Sequence, residues 1–244
     1  MKLNRILMRI KRKGKKLGRR VLIRLIQPLV PQKFNSIRYL EFWHFYSRSE
    51  LNHICRSGLV FALNQLGKRS VIIVETGTSA WGTDSTRLWA LYIKSFGGRL
   101  HSVDIRKQPS ETFGKADVNI KLYVDDSINF LINFDHYEEN KIDLLYLDSF
   151  DIDWDNPEPA MNHGLNEFRA AEKYLKINAI IVIDDTPDSL NLIPESAHFI
   201  SKGIYAKYGE LPGKGALILA EIKKIPEKYQ IMYHAYNVVI RKIG

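Results

Sequence analysis

Acidic residues stand at a recurring place in this 244-residue chain. Five segments read as strands, and each ends on an acid: Val71–Val74 runs into Glu75, Arg99–Val103 into Asp104, Ile120–Val124 into Asp125 and Asp126, Ile142–Leu147 into Asp148, and Ala179–Ile183 into Asp184 and Asp185. If these are parallel strands of one sheet, their carboxyl ends share a rim, and that rim is where open α/β sheets hold ligands. Like charges gathered there repel unless something cationic or hydrogen-bonding joins them. A ribose, a sulfonium or a metal ion would do so. The competing reading is that each acid caps the helix after its strand. Capping accounts well for Asp84 and Asp188, and less well for Asp104.

The elements that must position these acids follow from the apolar pattern. Val71-Ile72-Ile73-Val74 is an unbroken β-branched run, which suits a strand buried on both faces. A helix over Glu50–Leu66, with Leu51, Ile54, Cys55, Leu59 and Leu63 on one face and Gly67 as its stop, precedes it. Further helices are predicted over Ser85–Phe96, Ser127–Phe134, Pro159–Leu175 and Gly215–Lys224. Tyr229–Tyr233 and Val238–Ile243 are close enough to pair as an antiparallel hairpin. Strand–helix alternation implies an α/β domain, a mostly parallel sheet with helices on both faces, over residues 35–244.

Composition sets the bounds. An apolar fraction of 45% with 26% charged residues excludes a wholly disordered chain. The single cysteine, Cys55, excludes an internal disulfide framework and a Cys-based zinc cluster. No apolar stretch approaches the ~18 residues of a membrane span. The net charge of +9 belongs to one end: residues 1–40 hold 13 Lys/Arg and no acid, while the rest holds 23 basic against 27 acidic residues. Residues 1–34 are therefore a basic arm, with Leu3, Leu7, Ile10, Leu17 and Val21 at roughly helical spacing. Its Lys11–Arg20 cluster comes too late for a secretory signal. The arm reads either as a solvated tail or as a peripheral contact of residues 1–30 with an anionic membrane surface. Nucleic acid is disfavoured, because no aromatic precedes Phe34. The expected compartment is the cytoplasm, with or without that membrane contact.

The turn after the first strand discriminates among nucleotide sites. Gly77-Thr78-Ser79-Ala80-Trp81-Gly82 has the glycine spacing of a P-loop, but Thr83-Asp84 stand where Lys and Ser/Thr must be. It is not Gly-x-Gly-x-x-Gly either, and Glu75 before the turn opposes a pyrophosphate. Asp151–Asp155 has the beginnings of a calcium loop, yet Asn156 replaces the required glycine and Asn162 the bidentate Glu.

These residues resemble a class I S-adenosylmethionine-dependent methyltransferase. The resemblance is carried by Val71–Ser79 (VIIVETGTS), Leu100–Ile105 (LHSVDI), Tyr123–Ser127 (YVDDS), Asp143–Ser149 (DLLYLDS) and Ile180–Thr186 (IIVIDDT), in that order, and covers roughly residues 48–243. It implies a three-layer Rossmann-like fold with a seven-stranded, mostly parallel sheet and an antiparallel C-terminal strand. It also implies S-adenosylmethionine as cofactor, and its nearest flavour is the small-molecule and sugar O-methyltransferases. Carried over by position, Gly77 lets the backbone approach the cofactor, Glu75 lies near its methionine part, and Thr78 and Ser79 offer backbone donors. Asp104 hydrogen-bonds the ribose, and Asp126 and Ser127 face the adenine. The turn departs from the family in having one early glycine where many relatives have two or three.

The acceptor implied is a small-molecule or glycan hydroxyl, whose proton must be removed or whose oxygen must be polarised. Asp148 and His163 are the catalytic candidates. Asp148, Asp184 and Asp185 form an oxygen-only set suited to Mg²⁺ or Mn²⁺; alternatively Asp185 caps the Thr186–Pro187 turn and Asp148 begins a loop. The acceptor wall is expected from loops 106–118, 149–160 and 186–212. Two other readings use the same chain: an NAD- or nucleotide-sugar-binding oxidoreductase on the same sheet, and a non-catalytic membrane-surface protein.

Overall fold

Burial alternates along the central strands with period two, and that alternation builds the layers. In β1 (Val71–Thr76) Ile73 packs to one side while Ile72 and Val74 pack to the other. In β4 (Ile142–Leu147) Leu144 and Tyr146 face the first side, Leu145 and Leu147 the second. In β5 (Leu175–Ile183) Ile180 and Val182 oppose Ile181 and Ile183. Every residue of β1 and β4 is buried, as expected of strands covered on both faces.

The computed structural model describes residues 34–48, 51–78, 84–106 and 117–244. The expectations for the basic arm before Phe34, including its membrane contact, and for Ser79 and Trp81 lie outside these residues. The first side of the sheet is covered by α1 (Ile37–Arg48), α2 (Arg56–Leu66) and α3 (Ser85–Phe96), with Leu59, Leu63, Leu88, Trp89 and Tyr92 in its core. The second side is covered by α4 (Ser127–Ile132), α5 (Glu158–Ala171) and α7 (Ala216–Ile222), through Phe130, Leu131, Phe168, Ile218 and Leu219. A further helix, α6 (His198–Tyr208), packs beside α7 through Ile204. No helix among the described residues is long and apolar enough to cross a membrane.

The sheet has seven strands in the order β3-β2-β1-β4-β5-β7-β6, where β2 is Gly98–Asp104, β3 is Ile120–Val124, β6 is Tyr229–His234 and β7 is Val238–Lys242. Strands β1 to β5 pair in parallel; β7 runs antiparallel to both β5 and β6. The strand order reverses between β1 and β4, so the ligand crevice expected of such a sheet opens at their carboxyl ends.

Several boundaries differ from expectation. The helix expected from Glu50 begins at Arg56, because Leu51–Cys55 turn first. The helix expected through Leu175 ends at Ala171, followed by a single 3₁₀ turn, and β5 starts at Leu175 rather than Ala179. The helix expected over Ser127–Phe134 stops at Ile132, followed by a 3₁₀ turn over Phe134–His136. The stretch 186–212, expected as loop, holds α6.

Candidate active site at the carboxyl rim of the sheet

The rim divides at the β1/β4 switch point. On the β1–β2 side, Glu75 is fully buried and faces the α1–α3 layer. Its Oε1 accepts from the Ser85 hydroxyl (2.6 Å), and its Oε2 accepts from Thr86 (2.5 Å) and Ser102 (2.7 Å). The N-terminus of α3 is thus tied to β2 through one carboxyl group. Burial pushes Glu75 up to about 7, although the three hydroxyls pull the other way. The Thr78 hydroxyl extends the chain, 2.7 Å from the Ser102 hydroxyl.

Gly77 has φ +85°, and its N–H donates to the Val103 carbonyl at 2.8 Å. A Cβ there would collide with the Asp148 carbonyl and lie 2.7 Å from the Asp148 carbonyl carbon. The missing side chain therefore lets the turn after β1 close onto the backbone after β4, where the two halves of the rim touch.

Asp104 ends β2 and is 6% exposed. Its Oδ1 accepts from the Arg106 N–H (2.7 Å) and Arg106 Nε (3.2 Å), and its Oδ2 from the same guanidinium (3.2 Å). The Arg106 side chain is itself largely exposed, so this pair opens to solvent. Asp126 caps α4, accepting from the Asn129 N–H at 2.9 Å, so the capping reading holds at this acid. Ser127, buried beside it, points to His163: its Oγ is 3.1 Å from Nε2.

His163 lies on α5. Its Nε2 is also 3.0 Å from Ser149 Oγ and 3.4 Å from Glu167 Oε1, while Ser149 donates to Glu167 at 2.7 Å. The Glu167 carboxylate raises the His163 pKa above its ordinary value, against the opposing effect of burial. Serine and carboxylate share one ring nitrogen instead of flanking the ring, which is not the arrangement of a nucleophile relay. Phe150 lies over the imidazole at 5.1 Å between ring centres.

The β4–β5 side is organised by a residue that the sequence reading did not single out. Lys214, 3% exposed, places Nζ 2.6 Å from Asp148 Oδ1 and 3.0 Å from Asp185 Oδ2. Burial opposes its charge, but Asp148, Asp185 and Asp184 outweigh burial and hold its pKa above the usual lysine value. Tyr146 reaches up from β4, its hydroxyl 2.8 Å from Asp184 Oδ2 and 3.2 Å from Asp148 Oδ2. The Asp185 N–H donates to the other Asp184 oxygen, Oδ1, at 3.0 Å, and the buried Cys55 thiol is pushed up by burial and by the nearby aspartates. Burial, reinforced by the Asp185 charge, pushes Asp184 up.

The expected Mg²⁺ or Mn²⁺ set of Asp148, Asp184 and Asp185 therefore does not fit a divalent ion as placed. An ammonium joins Asp148 to Asp185, the Tyr146 hydroxyl lies between Asp148 and Asp184, and the Asp185 N–H serves the other Asp184 oxygen. Among the described residues no group of three or more His, Cys, Asp or Glu side chains is arranged to hold a metal ion. The sequence carried one signal for Lys214, the Gly213-Lys214-Gly215 triplet. A Cβ at Gly213 would lie 2.5 Å from the Asp185 carbonyl, and one at Gly215 would lie 2.8 Å from Thr186 Oγ1.

Beyond β5, a cleft of about 640 Å³ opens along the same rim, lined by Pro187, Asp188, Leu190, Tyr205, Leu211 and His234 among others. The Lys223–Glu210 ion pair borders it.

Neither a protein-family model nor a curated protein matches the sequence. Solved structures do. The MycE methyltransferase from the mycinamycin biosynthetic pathway, in complex with Mg and SAH, overlays with a TM-score of 0.60 at 14% identity, covering 87% of this chain and 56% of that one. Its complex with Mg, SAH and mycinamycin VI gives the same values. The O-methyltransferase TomG from Streptomyces achromogenes, in complex with SAM, overlays at 0.47 and 15% identity over 91% of this chain and 95% of its own. The chain thus spans little more than half the length of MycE. On strand order and overlay together, it has the Rossmann-like fold of the class I S-adenosylmethionine-dependent methyltransferases.

Proposed function

We propose that this protein is an S-adenosylmethionine-dependent methyltransferase acting on a hydroxyl of a small molecule or glycan. The observation that carries the reading is Asp104. It is a nearly buried carboxylate at the carboxyl end of β2, next to the switch point, and its side-chain partner Arg106 is exposed and free to give way to a diol. A carboxylate so placed accepts from both ribose hydroxyls. MycE, of like fold, is seen with SAH, which supports the same ligand class here.

Bound S-adenosylmethionine would supply an electrophilic methyl group on a positively charged sulfur. The protein's part is alignment of that carbon with the acceptor oxygen, which accounts for ~7–11 kcal/mol of such a barrier. The closed contact of Gly77 with Asp148 holds the two halves of the rim in register for that alignment. His163, backed by Glu167, is the group suited to take the proton released by the hydroxyl, because the carboxylate stabilises the imidazolium that results. The cleft beyond β5, lined by apolar Leu190 and Leu211 as well as polar Asp188 and His234, is the room for a hydroxylated acceptor.

Equilibrium titration with S-adenosylmethionine and, separately, with NAD⁺ tests the reading. Binding of the first and indifference to the second are expected. Preference for NAD⁺, or no binding of S-adenosylmethionine at millimolar concentration, would overturn it.

A further inference from the structure

We infer that Lys214 is the resident cation of the β4–β5 rim, an ammonium built into the chain where an oxygen-ligated divalent ion would otherwise be required, so that this site works without metal. The inference rests on the geometry of this site alone. The methyltransferase reading enters only in the last arm of its test.

Three carboxyl groups meet at the ends of β4 and β5, and such a set needs a positive charge or protons. Lys214 supplies the charge from within. Its Nζ bridges Asp148 Oδ1 and Asp185 Oδ2 at 2.6 and 3.0 Å, distances of charge-assisted hydrogen bonds. Its backbone is fixed as tightly as its side chain. The Lys214 N–H donates to the Asp185 carbonyl at 3.0 Å, and the next N–H, of Gly215, donates to Thr186 Oγ1 at 2.9 Å. Gly164 of α5 has no side chain where the Lys214 carbonyl packs against it. The lysine is therefore held from both ends between β5 and α5. A surface side chain that had folded in to fill a gap would lack these backbone ties.

A divalent ion at this place would have to displace the ammonium and also take oxygens now engaged by the Tyr146 hydroxyl and the Asp185 N–H. An ammonium and a metal differ in what they offer. The metal would organise six or more oxygens and take an acceptor oxygen as an added ligand. The ammonium has three N–H bonds in all, two of them used by the aspartates. It stabilises charge at one point and organises only the oxygens it already holds.

Mn²⁺ electron paramagnetic resonance on the full chain gives the test, with thermal unfolding in Mg²⁺ beside it. The wild type should leave the free Mn²⁺ signal undiminished and show no Mg²⁺-dependent rise in Tm. Lys214→Met removes the charge at similar length and leaves the three carboxyl groups without a cation; it should bind one Mn²⁺ per chain and gain Tm in Mg²⁺. One equivalent of Mn²⁺ bound by the wild type and lost in Asp185→Asn would overturn the inference, whether or not the lysine variant folds. A folded Lys214→Met protein that ignores Mn²⁺ would also overturn it, by showing that the carboxylates never formed a metal site. If the methyltransferase reading holds, EDTA should leave the wild-type rate within twofold; loss of that rate with rescue by Mg²⁺ would contradict the inference. Absence of any methyl transfer would count against the proposed activity and leave the Mn²⁺ result standing.

Discussion

The two halves of the rim solve one problem by opposite means. Around β1 and β2 the buried acid, Glu75, is met by three hydroxyls, and its pKa rises to about 7. Around β4 and β5 the acids are met by a buried ammonium. Hydroxyls leave Glu75 free to carry or lose a proton, whereas the ammonium pulls down the Asp148 and Asp184 carboxyl groups that burial pushes up. The first half also pairs one nearly buried acid, Asp104, with an exposed partner, Arg106. In the second half each acid is bonded inward. The comparison teaches that the first half is built to receive a ligand and the second to hold still.

The largest effect that would break this comparison comes from the second half. Lys214→Met should destabilise the protein by ~3–5 kcal/mol in urea unfolding at neutral pH, because it strands buried carboxylates. Combining it with Asp148→Asn should recover part of that loss. Purely additive variants would mean that the two groups are not coupled.

In the first half the expected signature is pH. Glu75 has a folded pKa of about 7 against an unfolded value of 4.5, so the folded state binds the extra proton between them. Its contribution is complete below the unfolded value and is lost as pH rises towards 7, by roughly 3 kcal/mol in all. Glu75→Gln should remove this slope from stability measured between pH 4.5 and 8. An unchanged slope would place its origin elsewhere.

Smaller still is the effect at the seam. Gly77→Ala forces a side chain onto the Asp148 backbone at φ +85° and should destabilise by about 1–3 kcal/mol. Chemical denaturation with no change in midpoint would mean that the halves do not touch there. His163 sharpens the comparison least. Its raised pKa gives stability present below its unfolded value and lost as pH rises through the higher folded value. His163→Gln should flatten stability over that window, which a pH series of melting temperatures would reveal.

Much of this was legible in the sequence, and the reason is local. An unbroken β-branched run such as Val71–Val74 announces a strand buried on both faces, and the acid at its end is read directly. The parallel sheet, the placement of Asp104, Asp148 and Asp184 on one rim, and the Ser85–Phe96 helix all follow from such short-range signals. What the sequence hid is pairing across distance. Lys214 meets Asp148 from 66 positions away, and nothing in a basic residue within a loop announces a carboxylate partner. Ser102 meets Glu75 from 27 positions away, so the hydroxyl cage was equally invisible. Cys55, read as one residue of an apolar helix face, is buried in the core as that face predicts. Helix α6 escaped because few of its side chains are buried, which blurs the helical period.

The claim that the β1–β2 half receives a methyl donor is tested most directly by calorimetric titration of S-adenosylhomocysteine into the wild type and Asp104→Asn. The account predicts saturable binding by the wild type and at least tenfold weaker binding by the variant, with melting temperatures that agree closely, since the Arg106 partner is exposed. Equal affinity in the two proteins would contradict it.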